Sequence, residues 1–196
     1  MIRLEKPLST LKDLENLPDD VRAELIDGDI IMMAASTMHS LTCSALTSEI
    51  RSHVKGRTDR LDKDGWIIIA EAWVYYDDHN SFVHDLAGFF RKDLSSSSDR
   101  GPLRAKPTWV CEVMSPSNWS NDTQRKRIIL EQHQIPYYWI VDPYRKTIQV
   151  FELKDKNEHY QIIYAADIGD GIVKLPPFES LELDLNELFE DLGNKT

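Results

Sequence analysis

Cysteine is scarce in this chain. Only two of its 196 residues are cysteines, Cys43 and Cys111, and this excludes the small secreted folds that several disulfides hold together. Both lie in apolar segments, so we expect two small buried thiols in a reducing cytoplasm. The six histidines are scattered along the sequence. We therefore expect that neither cysteine shares a ligand spacing with a histidine or a second cysteine, and that the chain has no zinc site.

Long apolar runs are also missing. The longest one, Trp66 to Ala70, is far shorter than the roughly 20 residues that cross a bilayer. The amino-terminal sequence MIRLEKPLST lacks the apolar stretch of a signal peptide. We therefore expect neither membrane insertion nor secretion, and we place the protein in the cytoplasm.

Basic residues are outnumbered. The chain has 23 Lys and Arg against 33 Asp and Glu, which gives a formal net charge of -10. Binding to nucleic acid by overall attraction is excluded, because contacts with phosphates depend on clustered basic residues. Any surface for nucleic acid must therefore be local.

The remaining composition is that of an ordinary globular protein. Hydrophobic residues make up 41% and charged residues 29% of the chain, and the sequence has no internal repeat. A length of 196 residues suits one domain over residues 1–196, because such a chain can bury a sizeable core. We expect this core over about residues 20–165 and a closing segment over 166–196.

Apolar patterns predict an α/β fold. Asp27-Gly28 between two short apolar runs is typical of a hairpin turn, and Ser95 to Ser98 predict an exposed loop. The loops between the early strands are too short for crossover connections, so we expect a mixed central β-sheet flanked by helices. The predicted elements are short helices at 10–17 and 20–24, a hairpin at 25–33, a long helix at 39–56, strands at 66–76, 82–90 and 108–114, a helix at 123–134, strands at 137–141, 147–153 and 159–164, and a closing helix after Leu183.

Three acidic residues interrupt apolar strand sequences. They are Glu71, Asp85 and Glu112. An ionised carboxylate in such a place needs a cation, a hydrogen-bond network or water at the edge of a sheet, and all three explanations stay open for each residue alone. Neighbouring strands lie about 5 Å apart, so two carboxylates on consecutive strands can bind one divalent cation through their oxygens.

Lys126 is a candidate catalytic cation. It lies in the first turns of the helix that follows the strand of Glu112. If this helix folds back onto the sheet, the ammonium group reaches the carboxylate and can stabilise developing negative charge. The alternative is a solvated face, which is typical of a run such as Gln124-Arg-Lys-Arg127. The sequence pattern alone leaves both open.

Six stretches of the sequence match a known family, and the likeness covers nearly the whole chain. The last two stretches, Asp122 with Lys126 and residues 135–143, are specific in combination. The stretches are Glu24-Leu-Ile-Asp-Gly-Asp29, His39 at the start of the long helix, His84-Asp85-Leu-Ala, Glu112-Val-Met-Ser-Pro-Ser117, Asp122 with Lys126, and Ile135-Pro-Tyr-Tyr-Trp-Ile-Val-Asp-Pro143.

With these stretches the chain resembles the Uma-type putative restriction endonuclease family, a bacterial branch of the PD-(D/E)XK nuclease superfamily. The resemblance implies a restriction-endonuclease-like core that hydrolyses phosphodiester bonds of DNA. Asp85 matches the aspartate of the motif, and Glu112 matches its second acid. The resemblance further implies that these two side chains and the backbone carbonyl of Val113 bind Mg²⁺ or Mn²⁺.

The chain departs from the superfamily pattern at two positions. His84 replaces the proline before the aspartate, and we expect little effect because that proline only shapes the backbone. Met114 occupies the usual position of the catalytic lysine. In the family this lysine is relocated to the following helix, where Lys126 matches it and Arg125 is the second choice.

The resemblance also implies two accessory residues. Glu24 matches an acidic residue that can assist a second metal ion, and His39 matches a recurrent family histidine whose role is open. For both we expect a structural or supporting role.

A DNA surface would have to come from local basic residues around the motif strands. A homodimer would enlarge this modest footprint. The alternative to an endonuclease is a catalytically weak or inactive nuclease-fold module that acts in nucleic-acid or protein interaction. The candidate DNA-binding residues are Arg91, Lys92, Arg104, Lys106, Arg125 and Arg127.

Overall fold

The fold is described from a computed structural model. It covers residues 7–18, 20–33, 36–55, 65–94, 101–115, 121–155 and 159–190, without the side chains of 55 and 121–123. The predicted loop at Ser95 to Ser98, the residues Pro116 and Ser117 of the family match and the side chain of Asp122 lie outside this description. None of the described helices is long and apolar enough to cross a membrane.

A mixed eight-stranded sheet forms the centre of the molecule. Its order is β2-β1-β4-β5-β6-β7-β8, and β3 joins through its pairing with β4. The pair β5 and β6 is parallel, and the other pairs of this sheet are antiparallel. The strands are β1 (Ala23–Ile26), β2 (Asp29–Met32), β3 (Trp66–Asp77), β4 (Asn80–Phe90), β5 (Trp109–Val113), β6 (Tyr137–Asp142), β7 (Thr147–Glu152) and β8 (Gln161–Asp167).

Helices cover both faces of the sheet. A two-stranded ribbon accompanies the closing helix α4. Together these features confirm the predicted α/β class with a mixed sheet flanked by helices. The helices are α1 (Leu11–Glu15), α2 (Thr37–Lys55), α3 (Arg127–Gln132) and α4 (Leu185–Glu190), and the ribbon consists of β9 (Ile172–Val173) and β10 (Leu183–Asp184).

Alternation along β5 separates two hydrophobic cores. Cys111 and Val113 pack in the core that α2 and α4 cover, whereas Val110 and Met114 pack in the core that α3 covers. Successive side chains of a strand point to opposite faces. Glu112 therefore points to the α3 face.

The alternation changes phase in β4. In a regular strand, Phe82 and Leu86 would point to the same face because they are four residues apart. Instead, Phe82 packs in the α3 core and Leu86 packs in the α2 core. In β3 the same change occurs around Glu71, whose φ of 50° lies in the left-handed region that non-glycine residues rarely adopt. Asp85 lies at the phase change of β4.

Most predicted elements are present within a few residues of the expected bounds. The hairpin around Asp27-Gly28 and the long second helix are confirmed. The predicted helix at 20–24 is wrong, because β1 begins at Ala23 and pairs along its length with β2. The predicted helix at 123–134 begins as a π-helical turn, Asn121–Lys126, before α3.

Candidate active site

Glu112 is buried at the centre of the sheet. Its side chain is only 3% exposed. One carboxylate oxygen, Oε1, lies 2.5 Å from Nδ1 of His84, and the other, Oε2, lies 3.3 Å from Nζ of Lys126. Burial raises the pKa of this carboxyl group, and the nearby Lys126 ammonium acts in the opposite direction. The carboxylate therefore depends on the Lys126 ammonium for its charge.

Lys126 reaches the sheet from the π-helical turn. Its side chain is 3% exposed, so the solvated-face interpretation is wrong for this lysine. Nζ donates hydrogen bonds to Oε2 of Glu112 and, over 3.0 Å, to Oε1 of Glu24. It also lies 5.8 Å from the centroid of the Phe82 ring. The helix after β5 thus folds back onto the carboxylate.

Glu24 closes the buried cluster from the hairpin side. Its Oε1 also accepts a hydrogen bond of 2.9 Å from the backbone N–H of Val83. Two carboxylates therefore share the Lys126 ammonium, and the two acidic groups come from strands β1 and β5. Such a group of charges persists in a buried place only because each member is paired.

His84, for which little effect was expected, is a member of this cluster. Its ring is fully buried, and Nε2 lies 2.6 Å from the Tyr76 hydroxyl. Burial, reinforced by the Lys126 charge, lowers the pKa of His84 to about 3, whereas burial raises that of Tyr76. With Glu112 ionised, Nδ1 of the neutral ring donates to the carboxylate, and Nε2 accepts from the Tyr76 hydroxyl. A proline here would leave this oxygen of Glu112 without its donor.

Asp85 lies on the neighbouring strand and faces the other way. Its Oδ1 is 2.9 Å from Nε2 of His39 on α2, and its Oδ2 accepts a hydrogen bond of 2.7 Å from the backbone N–H of Val113. Pairing of Leu86 with Cys111 makes β4 and β5 adjacent. The described partners of Asp85 and Glu112 nevertheless lie on opposite faces of the sheet.

A groove runs along α2 beside Asp85. Its volume is about 530 Å³. Within it, ligand atoms of His39, Cys43 and Asp85 all lie within 4.8 Å of one another. The expectation that neither cysteine shares a ligand spacing with a histidine is therefore wrong. Cys43 follows His39 by four residues, and this spacing puts both on one side of a helix.

The cysteines differ in their surroundings. Both are free thiols, and Cys111 is buried as expected whereas Cys43 is only partly buried. Burial raises the pKa of the Cys43 thiol, and the negative charge of Asp85 adds to this effect. A protonated thiol is a poor nucleophile, so covalent catalysis by Cys43 is not supported.

Glu71 is not a buried carboxylate. Its side chain is 69% exposed and lies 3.2 Å from Arg22. The left-handed backbone at this residue accompanies the phase change of β3 and turns the side chain to the surface. Of the three explanations left open by the sequence, both solvent and a cation, Arg22, apply to Glu71.

The candidate DNA-binding residues are distributed over several surfaces. Arg125 donates to the carbonyl of Ile26 over 2.7 Å and to Asp29 over 2.9 Å, so it fastens the hairpin. Arg104 lies over the Tyr75 ring, and Lys106 donates to the carbonyl of His133. The remaining candidates are Arg91 and Lys92, which follow β4, and Arg127, which lies over the Phe151 ring.

The donor groups fit two kinds of metal ion. Carboxylate oxygens of Asp85, Glu112 and Glu24 suit a hard cation such as Mg²⁺. The imidazole of His39 and the thiol of Cys43 suit softer ions.

Comparisons with known proteins agree with this fold. The model of the Uma2 family, described as "Putative restriction endonuclease", matches residues 8–186. Four chains of known structure match. One is a crystal structure from Anabaena variabilis ATCC 29413, described as a putative nuclease belonging to DUF820, with a TM-score of 0.72 and 25% identity over 95% of this chain and 100% of that chain. No curated protein sequence matches this chain.

Proposed function

This chain belongs to the Uma2 family, and on that premise we propose that it is a Mg²⁺- or Mn²⁺-dependent endonuclease that hydrolyses DNA phosphodiester bonds in the bacterial cytoplasm. The observation that carries the proposal is the contact between Lys126 and Glu112, 3.3 Å apart. It supports the replacement of the usual strand lysine, absent at Met114, by a lysine from the following helix.

Asp85, Glu112 and the carbonyl of Val113 are the proposed metal ligands. When bound there, a hard divalent cation polarises the scissile phosphate and favours ionisation of the attacking water. The Val113 N–H and His39 hold Asp85 on the face opposite to the partners of Glu112, so a shared ion requires one of the two carboxylates to turn toward the other. His84 binds Oε1 of Glu112 and Lys126 binds Oε2. These two side chains therefore fix the orientation of the carboxylate.

Lys126 is proposed to orient the water or to stabilise negative charge on the phosphate. An ammonium group in a buried place acts more strongly on such charge than one in water. Glu24 holds this ammonium from the other side, so it is proposed as a positioning residue for Lys126.

The DNA surface is proposed to include Arg91, Lys92, Arg104, Lys106 and Arg127, with a homodimer as the means to enlarge it. Arg125 contributes less, because its guanidinium group already binds the hairpin. A net charge of -10 makes such local groups the main source of attraction for DNA.

Nicking of supercoiled plasmid with Mg²⁺ or Mn²⁺ tests the proposal. The variants Asp85→Asn and Glu112→Gln should each abolish cleavage while the circular dichroism spectrum stays native. Glu182→Gln, which changes an exposed carboxylate bound to Lys174, is the matched control and should cleave like the wild type. Wild-type rates in either site variant would show that the assignment is wrong.

An inactive interaction module is the second candidate. It is favoured by the burial of Lys126 and Glu112, each 3% exposed and bound to the other, because a substrate phosphate must reach such groups. Metal binding without nicking of any DNA substrate would support the module. Loss of metal binding and nicking together in Asp85→Asn would support the nuclease.

A further inference from the structure

We infer that His39, Cys43 and Asp85 form a site for a borderline divalent metal ion of the Zn²⁺ class in the groove along α2. The three side chains come from one helix and one strand, and their ligand atoms all lie within 4.8 Å of one another. This site is distinct in its donors from the all-oxygen site proposed for catalysis, although the two share Asp85.

The spacing of the donor atoms suits a tetrahedral ion. Nε2 of His39 lies 2.9 Å from Oδ1 of Asp85 and 3.8 Å from Sγ of Cys43. Around one tetrahedral Zn²⁺, with bonds of about 2.0 Å to nitrogen or oxygen and 2.3 Å to sulfur, such donors lie about 3.3 to 3.6 Å apart. The two distances from His39 are therefore within about half an ångström of these values, and Sγ of Cys43 lies within 4.8 Å of the Asp85 carboxylate.

The donor types select the class of metal. Thiolate and imidazole groups bind Zn²⁺ and other late transition metals, whereas Mg²⁺ prefers oxygen. Cys43 is unsuited to Mg²⁺, so it gives the site a preference that Asp85 alone would not have. The thiol loses its proton when the ion binds.

The surroundings favour binding. Oδ2 of Asp85 is held by the Val113 N–H, so the carboxylate is oriented with Oδ1 toward His39. His39 and Cys43 lie one helical turn apart on α2 and need no loop movement to meet. The groove of about 530 Å³ gives an ion access from solvent and leaves room for water as a fourth ligand.

The shared carboxylate couples this site to catalysis. An ion bound to His39, Cys43 and Asp85 occupies the carboxylate that the nuclease needs for Mg²⁺. Zn²⁺ should therefore inhibit Mg²⁺-dependent cleavage. This inhibition depends on the proposed nuclease function, whereas binding of the metal does not.

Titration of the metal-free full-length protein with Co²⁺ tests the site without any DNA. A thiolate bound to Co²⁺ absorbs in the near ultraviolet, and Zn²⁺ should abolish this band by displacing Co²⁺. We expect the band in the wild type with a stoichiometry of one. We expect it to disappear in Cys43→Ala and Cys43→Ser, and His39→Ala should weaken binding at least about 100-fold, since even second-layer partners of a ligand contribute 10 to 100-fold.

Cys111→Ala is the matched control. Cys111 is the other thiol and lies buried in the α2 core, so its removal should leave the Co²⁺ band in place. A wild-type protein without the band would overturn the inference. A band that survives both Cys43 variants, or that is lost in Cys111→Ala with the fold intact, would also overturn it.

Plasmid nicking at fixed Mg²⁺ with increasing Zn²⁺ tests the coupling. The Zn²⁺ concentration for half-inhibition, relative to the Mg²⁺-only rate of each protein, should rise at least about tenfold in Cys43→Ser and stay unchanged in Cys111→Ala. A normal Co²⁺ band without inhibition by Zn²⁺ would overturn the shared role of Asp85. A normal band with no Mg²⁺-dependent cleavage at all would overturn the nuclease function and support the metal site alone.

Discussion

Lys126 is a buried cation between two carboxylates, and removing it leaves both of them buried without a cation. In Lys126→Met we expect the free energy of unfolding to fall by about 3 to 5 kcal/mol, and plasmid nicking to fall by orders of magnitude. Urea denaturation and the nicking assay measure the two effects. Lys154→Met is the control, because this lysine is mostly exposed and pairs with Glu152 at 3.6 Å.

Adding Glu24→Gln to Lys126→Met separates stability from chemistry. The double variant removes one of the two carboxylates that lost their cation, so it should recover part of the lost stability but none of the activity. Recovery of nicking in the double variant would show that Lys126 has no catalytic role.

His84 makes stability depend on pH. Its pKa is about 3 in the folded protein and 6.5 in the unfolded chain, so between these values the unfolded state binds more protons. Stability is then fully present above pH 6.5 and falls as the pH falls toward 3, by up to about 1.4 kcal/mol per pH unit. Urea denaturation of the metal-free protein between pH 4 and 7 should show a smaller slope in His84→Asn. Equal slopes in both proteins would exclude His84 as the source.

At the scale of elements, the β1–β2 hairpin is fastened to the π-helical turn by Arg125. Its guanidinium group binds a backbone carbonyl and two aspartates of the hairpin, and its side chain is 31% exposed. We expect Arg125→Ala to reduce the free energy of unfolding by about 1 kcal/mol.

Arg145→Ala is the control for this prediction. Arg145 is 72% exposed and lies 3.9 Å from Asp142, so its removal should change stability little. Denaturation curves that fall equally in both variants would show that Arg125 is no more than a surface charge.

Sequence patterns predicted the elements wherever periodicity was long. Helix α2 and strands β3 and β4 have enough residues to show their period, whereas the segment at 20–24 is too short to distinguish helix from strand. Residues 23–26 form strand β1 because they pair with β2, and this pairing depends on the whole fold. The phase changes at Glu71 and Asp85 had no local signal, since neither residue is a glycine.

The candidate site was predicted only in part. The resemblance predicted Glu112 and Lys126 as site residues, and the structure brings their side chains together. The link from His84 to Tyr76 joins strands β3 and β4 across the turn, so only the fold reveals it. Cys43 could have been found, because its spacing of four residues from His39 on a predicted helix was visible in the sequence.

At the scale of the whole molecule, the acidic chain limits how strongly DNA can be bound. With Arg125 committed to the hairpin, about five candidate basic residues remain for phosphates. The logarithm of the binding constant should then fall with the logarithm of salt concentration with a slope no steeper than about -4.5. Fluorescence anisotropy of labelled duplex DNA with the Glu112→Gln variant measures this slope.

A steeper slope would show that one chain does not supply all the contacts. Light scattering under the same conditions then identifies whether a homodimer is present. A shallow slope from a monomer would show that a single footprint is sufficient for binding.

The phase change in β4 links the two cores through one backbone position. Before Asp85, even-numbered residues such as Phe82 fill the core under α3, and after it the even-numbered Leu86 fills the core under α2. A change of side-chain volume in either core therefore affects the same segment of β4, between Phe82 and Leu86. Because protein interiors have low compressibility, the orientation of Asp85 should respond to packing on both sides of the sheet, so core substitutions far from the groove should alter the metal affinity proposed for this carboxylate.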